Sequence, residues 1–310
     1  MAINMKGKNL VSINDLNREE VAQILETAEI IKLRHYSNEE QPLLKGKVLG
    51  MIFQKPSLRT RVSFEAGMIQ LGGQAIYLGP DDIKLGQREA TKDIAQVLSR
   101  YVNGIMARTF SHEIILELAK YSTVPVINGL SDLLHPCQVL GDLLTVKEKK
   151  GRLSNLKLVY IGDGNNVAHS LMFGAVKVGI NIVLAVPPGY EPKDEIVNIA
   201  KEDAKKINCT IEIVHDPKEA VKGADVIYTD VWTSMGYEKE SEIRKEVFKP
   251  YQINQDLVNI AKDDVIILHC LPAHRGEEIT DEVIDGPHSV VIDQAENRLH
   301  AQKGVLALLL

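Results

Sequence analysis

The sequence predicts an α/β protein of two domains, each a mainly parallel sheet flanked by helices. Three observations predict it. Short apolar runs alternate with segments of helical period almost throughout the chain. That alternation implies parallel strands joined by right-handed crossovers. It occurs as two sets, one on each side of the charged, Gly-containing stretch 149–155, and 310 residues exceed what one core usually serves. The domain joint is therefore expected near residue 150.

The elements of the first set read as follows. Asn17 and Glu20 have capping-box spacing and open a helix on which Val21, Ile24, Leu25 and Ala28 recur at helical period. The run 47–53 reads as a buried strand. A helix over 61–71 ends at Gly72-Gly73, and a strand follows at 75–78. Ile94, Val97, Leu98 and Tyr101 mark the next helix. Strands at 104–107 and 124–127 enclose a helix near 113–120, and a helix over 136–149 has Pro136 in its first turn. The second set has strands at 158–161, 182–186, 211–214, 226–229, 265–268 and 290–292, and the chain closes with a helix over about 296–309.

Composition bounds the function. With 45% hydrophobic and 25% charged residues, the chain can bury a sizeable core, which excludes wholesale disorder. The formal net charge of -6 argues against nucleic acid or an anionic membrane as partner, so any anion site is local. Cys137, Cys209 and Cys270 are odd in number, far apart and free of C-x-x-C spacing, which disfavours structural zinc and fits a reducing compartment. Residues 1–8 lack the apolar core of a signal peptide, and no apolar run has the length of a membrane span. A cytoplasmic location is expected.

In open α/β sheets ligands bind beyond the carboxyl ends of the strands. Here those ends carry Ser57-Leu58-Arg59-Thr60-Arg61, then Arg108, then His135-Pro136-Cys137-Gln138, and in the second set Asn165-Asn166, Asp230 and His269-Cys270-Leu271-Pro272. The first set is cationic and the second carries Asn, Asp and Cys, which suits an anion on one side of a cleft and an amine on the other.

Each group has two readings. Ser57 and Thr60 either cap a helix behind a solvated basic loop or, with Arg59 and the positive helix end, cradle a phosphate. Arg108 alone reads more often as a surface or salt-bridged residue than as a ligand contact. His135 caps a helix or donates to a carbonyl or phosphate oxygen. Asn165 and Asn166 cap a helix or hold a carboxylate; Asp230 caps a turn or fixes an amine. Trp232 is core or cleft wall, and Cys270 is an inert small hydrophobe or a reactive group needing charged partners. Gly162-x-Gly164 suggests a dinucleotide fingerprint, but Val167 stands where the third Gly belongs.

Taken together, four motifs resemble those of the ornithine carbamoyltransferases, within the aspartate/ornithine carbamoyltransferase family, and the resemblance covers essentially the whole chain. They are Ser57 to Arg61, His135 to Gln138, Asp230-Val231-Trp232-Thr233-Ser234-Met235-Gly236, and His269 to Pro272. The last two separate the ornithine branch from the aspartate branch. The resemblance implies a carbamoyl phosphate domain, residues 1–150 with a C-terminal helix 296–310 packing back on it, and an ornithine domain, residues 151–295. It implies a homotrimer or an assembly of trimers, and no metal or organic cofactor.

By matching position, Ser57, Leu58 (through its backbone), Arg59, Thr60, Arg108, His135, Gln138, Cys270, Leu271 and Arg298 would bind carbamoyl phosphate. Asn166, Asp230, Ser234 and Met235 would bind L-ornithine, and Cys270, Arg108, His135 and Asp230 would serve catalysis. The Leu271-Pro272 peptide is implied to be cis. Two positions depart from the family: it usually has Thr at Leu58 and Gln at Lys84. The implied reaction transfers the carbamoyl group to ornithine's side-chain amine. A sister enzyme with another amine, a nucleotide-dependent oxidoreductase and an inactive anion-binding module are the alternatives.

Overall fold

The computed structural model describes residues 2–83, 85, 89–233 and 240–310. Met1–Leu144 with Glu296–Leu310 form one compact unit, and Thr145–Ala295 form the other. The first contains helix α1 (Arg18–Tyr36), strand β1 (Val48–Phe53), α2 (Leu58–Gln70), β2 (Gln74–Leu78), α3 (Pro80–Ile83), α4 (Thr91–Leu98), β3 (Gly104–Arg108), α5 (His112–Tyr121), β4 (Val126–Leu130) and most of α6 (Pro136–Lys150). The expected capping box is present: Asn17 Oδ1 accepts from Glu20 N at 2.8 Å and Glu20 Oε2 from Asn17 N at 2.9 Å. Helix α2 starts three residues before the expected 61 because Ser57 Oγ accepts from Thr60 N at 3.2 Å and so caps the chain there.

Four parallel strands make the first sheet, in the order β2-β1-β3-β4. Ile52, Ile105, Ala107, Ile115, Leu118 and Val126 form a core against it. Each fully buried Val, Leu or Ile contributes roughly 1.5–3 kcal/mol of transfer free energy.

The second unit contains β5 (Lys157–Ile161), α7 (Asn166–Val178), β6 (Asn181–Ala185), α8 (Asp194–Ile207), β7 (Ile211–Val214), α9 (Pro217–Val221), β8 (Val226–Thr229), α10 (Ser241–Phe248), α11 (Gln255–Val258), β9 (Ile266–His269) and α12 (Asp281–Ile284). Its five parallel strands run β7-β6-β5-β8-β9 over a core that includes Val159, Ile161, Val183, Ile227 and Ile267. The strand expected at 290–292 does not form. Ser289 makes a single bridge with Ile267, Val290 N donates to Ile267 O at 3.1 Å, and the last helix, α13 (Val291–Leu309), begins at once. Three apolar β-branched residues fit a buried strand or a buried helical turn equally well. Gln294 N on Val290 O, at 2.9 Å, starts the helical ladder.

From Glu296 onward α13 packs on the first unit. Close approach at two glycines permits this. A Cβ on Gly304 would lie 2.9 Å from Ile24 O, and one on Gly141 would lie 3.2 Å from the Arg298 backbone. Lys32 Nζ donates to Asn297 Oδ1 at 2.8 Å, and the buried Lys303 donates to Gln70 Oε1 at 2.9 Å. Among the described residues, no helix is long and apolar enough to cross a membrane.

Both sheets have a switch point, where the chain leaves one strand for its left neighbour and later returns to its right. In the first it lies between β1 and β3; in the second, between β5 and β8. The crevice at such a point is where open α/β sheets bind ligands.

Candidate active site

At the first switch point the end of β1 leads into the Ser57 cap, and β3 ends at Arg108. The pairing of β3 with β4 slips between Ala107 and Arg108, a bulge of the kind that re-aims a side chain. Gln54 fixes the two strand ends together: its N donates to Arg108 O at 2.9 Å and its Oε1 accepts from Phe110 N at 2.9 Å. The buried Thr60 Oγ1 then accepts from Arg108 at 3.4 Å and from Arg298 of α13 at 3.3 Å. Arg298 also donates to Gln138 Oε1 at 2.6 Å. The Gln138 amide cannot turn over, because its nitrogen donates to Asp142 Oδ1 at 2.7 Å.

His135 is buried at the start of α6. Burial first, then the positive charges of Arg298, Arg108 and Arg59, hold its pKa well below the usual histidine value. It is therefore a neutral imidazole, able to donate one N–H without adding charge. Burial pushes the neighbouring Cys137 thiol up to about 12, so that sulfur stays protonated and donates to Asn128 O at 3.4 Å. Ser57 and Arg59 are half-buried, and Leu58 is 75% exposed.

At the second switch point β5 leads through Gly162 to Asn165, the N-cap of α7, and β8 leads to Asp230. Asn165 Oδ1 accepts from Val167 N at 2.9 Å and Ala168 N at 3.2 Å, while its Nδ2 donates to Asp230 Oδ2 at 2.8 Å. The other carboxylate oxygen, Asp230 Oδ1, accepts from Val231 N at 2.8 Å and from Cys270 Sγ at 2.9 Å. Cys270 is half-buried, whereas Cys137 and Cys209 are buried.

Leu271 follows with φ +56° and a cis bond to Pro272. His269 fixes this turn. Its Nδ1 accepts from Leu271 N at 2.9 Å, so its Nε2 bears the proton and donates to Glu278 Oε1 at 2.9 Å.

Residues 8–148 match the family described as aspartate/ornithine carbamoyltransferase, carbamoyl-P binding domain, and residues 154–309 match its Asp/Orn binding domain. A protein of Thermococcus kodakarensis named ornithine carbamoyltransferase is 56% identical over 310 residues, covering 100% of this chain and 98% of its own. One of Carboxydothermus hydrogenoformans with the same name is 55% identical over 310 residues, covering 100% of both chains. The solved ornithine carbamoyltransferase of Pyrococcus furiosus superposes with a TM-score of 0.97 at 55% identity, covering 99% of this chain and 98% of its own. The chain belongs to the aspartate/ornithine carbamoyltransferase family.

Of the residues that the family resemblance singles out, the first unit brings together Thr60, Arg108, Gln138 and Arg298 by direct hydrogen bonds, with Arg59 acting on His135 through its charge. In the second unit Asp230 and Cys270 are in contact, and Asn166 is the first residue of α7. Ser234, Met235 and Lys84 lie outside the described residues. Trp232 is core, stacked with Phe248 at a ring separation of 6.1 Å.

Sequence reasoning missed a buried ion pair. Arg244 of α10 donates to Asp163 Oδ2 at 2.8 Å, to Trp232 O at 3.0 Å and to Glu240 Oε2 at 3.1 Å. Burial raises the Asp163 carboxyl, and the Arg244 charge pulls it back. Nothing in the spacing of residues 163 and 244 signals that pair. Among the described residues one group could offer three metal-ligand atoms within 4.8 Å: His274, Glu277 and Glu278. Those carboxylates already close the turn after Pro272: Glu278 Oε1 takes His269 and His274 N, and Glu277 faces Lys245 Nζ at 3.1 Å.

Proposed function

We propose that this chain is an ornithine carbamoyltransferase, moving the carbamoyl group of carbamoyl phosphate to the side-chain amine of L-ornithine and releasing L-citrulline and phosphate. The observation that carries the reading is the pair of guanidinium groups, Arg108 and Arg298, meeting at Thr60 beside a neutral His135. Those groups suit an anion with a carbonyl attached. The phosphate takes Ser57, the Leu58 backbone, Arg59 and Thr60, at the positive end of α2. The carbonyl oxygen takes Arg108 and His135, with Gln138 and Arg298 completing the carbamoyl phosphate contacts. Residues 1–150 with 296–310 form the carbamoyl phosphate domain, and residues 151–295 the ornithine domain.

Asn166, Asp230, Ser234 and Met235 bind ornithine, while Cys270 and Leu271 line the reacting centre. An alkyl ammonium has a pKa of about 10.4, so ornithine's amine must shed a proton before attack. Asp230 and Cys270, joined by their hydrogen bond, orient the amine and receive or relay that proton. The amine nitrogen bonds to the carbonyl carbon, the oxygen becomes an oxyanion, and the C–O bond to phosphate then breaks. One donor to such an oxyanion is typically worth roughly 3–4 kcal/mol. Positioning and electrostatics supply the rest, with no covalent enzyme intermediate, metal or organic cofactor.

The enzyme works in the cytoplasm as a homotrimer or an assembly of trimers. The name of a Pyrococcus furiosus relative, 55% identical over 310 residues, includes the word anabolic. That supports the citrulline-forming direction and a place in arginine biosynthesis. The test is citrulline formation by the purified chain with carbamoyl phosphate and a panel of ornithine, putrescine, N-acetylornithine and aspartate. Turnover with ornithine alone is expected; preference for another amine overturns the acceptor assignment. Light scattering after size exclusion tests the assembly.

A further inference from the structure

We propose that Asn165 is a positioning residue for the ornithine half-site, holding the Asp230 carboxylate with its amide nitrogen while its oxygen caps α7. This rests on the reading of Asp230 and Cys270 as ornithine and reaction-centre groups.

The amide has only one workable orientation. Its oxygen faces three donors: Val167 N at 2.9 Å, Ala168 N at 3.2 Å and the Tyr160 hydroxyl at 3.4 Å. Turned over, the NH2 would meet those donors and the oxygen would meet a carboxylate. The cap therefore fixes Nδ2 toward Asp230 Oδ2, at 2.8 Å. The donor capacity of Tyr160 is secure, because burial and the charges of Asp230 and Asp163 push its pKa well above the ordinary tyrosine value. Asp230 is thereby gripped on both oxygens, Oδ2 by Asn165 and Oδ1 by Val231 N and the Cys270 thiol. Losing one grip lets the carboxylate rotate about its side-chain torsions, away from the thiol and from the place it offers an amine. The start of α7 thus transmits its own geometry to the reacting groups.

The experiment compares Asn165→Ser and Asn165→Thr with the parent. Both replacements keep a hydroxyl oxygen able to cap α7, since Ser caps about as well as Asn and Thr only slightly less well. Neither hydroxyl is long enough to replace the amide donor to Asp230. Thermal unfolding should stay near the parent's, and carbamoyl phosphate affinity should be unchanged. kcat/KM for ornithine should fall about tenfold or more, the usual worth of a hydrogen bond to a charged group. In an Asp230→Asn background, Asn165→Ser should cost little further, because Asn165 acts through Asp230. Undiminished loss in that background, or full kcat/KM in stable variants, overturns the proposal and leaves Asn165 as a cap alone. Should Asn165→Ser unfold, Asn165→Thr, which fills more of the parent's space, carries the same readings. A second readout needs no turnover. Iodoacetamide should alkylate Cys270 severalfold faster in Asn165→Ser, since the carboxylate no longer holds the thiol proton, while the buried Cys137 and Cys209 stay protected. An unchanged rate counts against the positioning. An inactive parent with the expected change in alkylation sinks the functional reading alone.

Discussion

Replacing Thr60 by Val removes one hydroxyl and nearly nothing else. Thr60 Oγ1 is the shared acceptor for Arg108, at 3.4 Å, and Arg298, at 3.3 Å. Both distances are long, so each bond falls below the usual charged range, at about 1 kcal/mol. Without the oxygen the two guanidinium groups lose a shared acceptor that offsets their mutual repulsion. The expected cost to phosphate affinity is then about 1–2 kcal/mol, or roughly 5- to 30-fold in Kd. The side chain is 1% exposed, and Val fills nearly the same space, so no cavity opens. Calorimetric titration with inorganic phosphate and with carbamoyl phosphate reads the change. The same titration at higher ionic strength separates the local loss from general attraction. A Kd within a factor of two of the parent's would show that neither the Thr60 hydroxyl nor the pairing it supports holds the anion.

Four further outcomes follow from the structure. Leu58→Thr, at an exposed first helical position, should leave stability within about 0.5 kcal/mol and phosphate affinity unchanged, as the proposed binding through the backbone N–H requires; a clear gain in affinity would assign the role to the hydroxyl. Cys270→Ala should keep its thermal transition and lose most citrulline formation, whereas full turnover would make Cys270 a packing residue. Arg244→Met strands the buried Asp163 and should lower stability by about 3–5 kcal/mol in urea unfolding; a loss under about 1 kcal/mol would show that the carboxylate finds water instead. His135 has its pKa lowered by burial and three arginines, and burial brings His300 down to about 4. The unfolded chain binds protons below about pH 6.5 and these folded imidazoles do not. Stability is therefore full above that pH and falls as pH drops toward the folded values, by up to about 1.4 kcal/mol per unit for each group. Urea midpoints at pH 7 and 5.5 check this, and His300→Gln should flatten the slope; equal slopes in parent and variant would contradict it.

Much of the site was legible because strand ends announce themselves. A short apolar run followed by Ser57 to Arg61, or by His269 to Pro272, places those residues at carboxyl ends of parallel strands whatever the strand order. Residue type then separates a cationic set from one bearing Asp230 and Cys270. Arg298 had no such signal, since it lies in the middle of a helix; only the family motif named it. Asn165 was read as a cap or a ligand group, and its bond to Asp230 depends on two strand ends becoming neighbours at β5 and β8. The strand expected at 290–292 failed because three apolar residues carry no period.

The sequence by itself determined the class of fold, the two sets of strands, the helix caps at Asn17 and Ser57, and the chemistry available at each strand end, because these depend on local patterning and on residue type. Tertiary structure alone decided which of those ends meet. Strand order put Arg108 beside the Ser57 loop, the close approach at Gly141 brought Arg298 to Gln138 and Thr60, and surrounding charge and burial made His135 neutral. Such properties belong to pairs far apart in the chain. A distance between residues 60 and 298 is set by the packing of whole elements, and no local pattern encodes it.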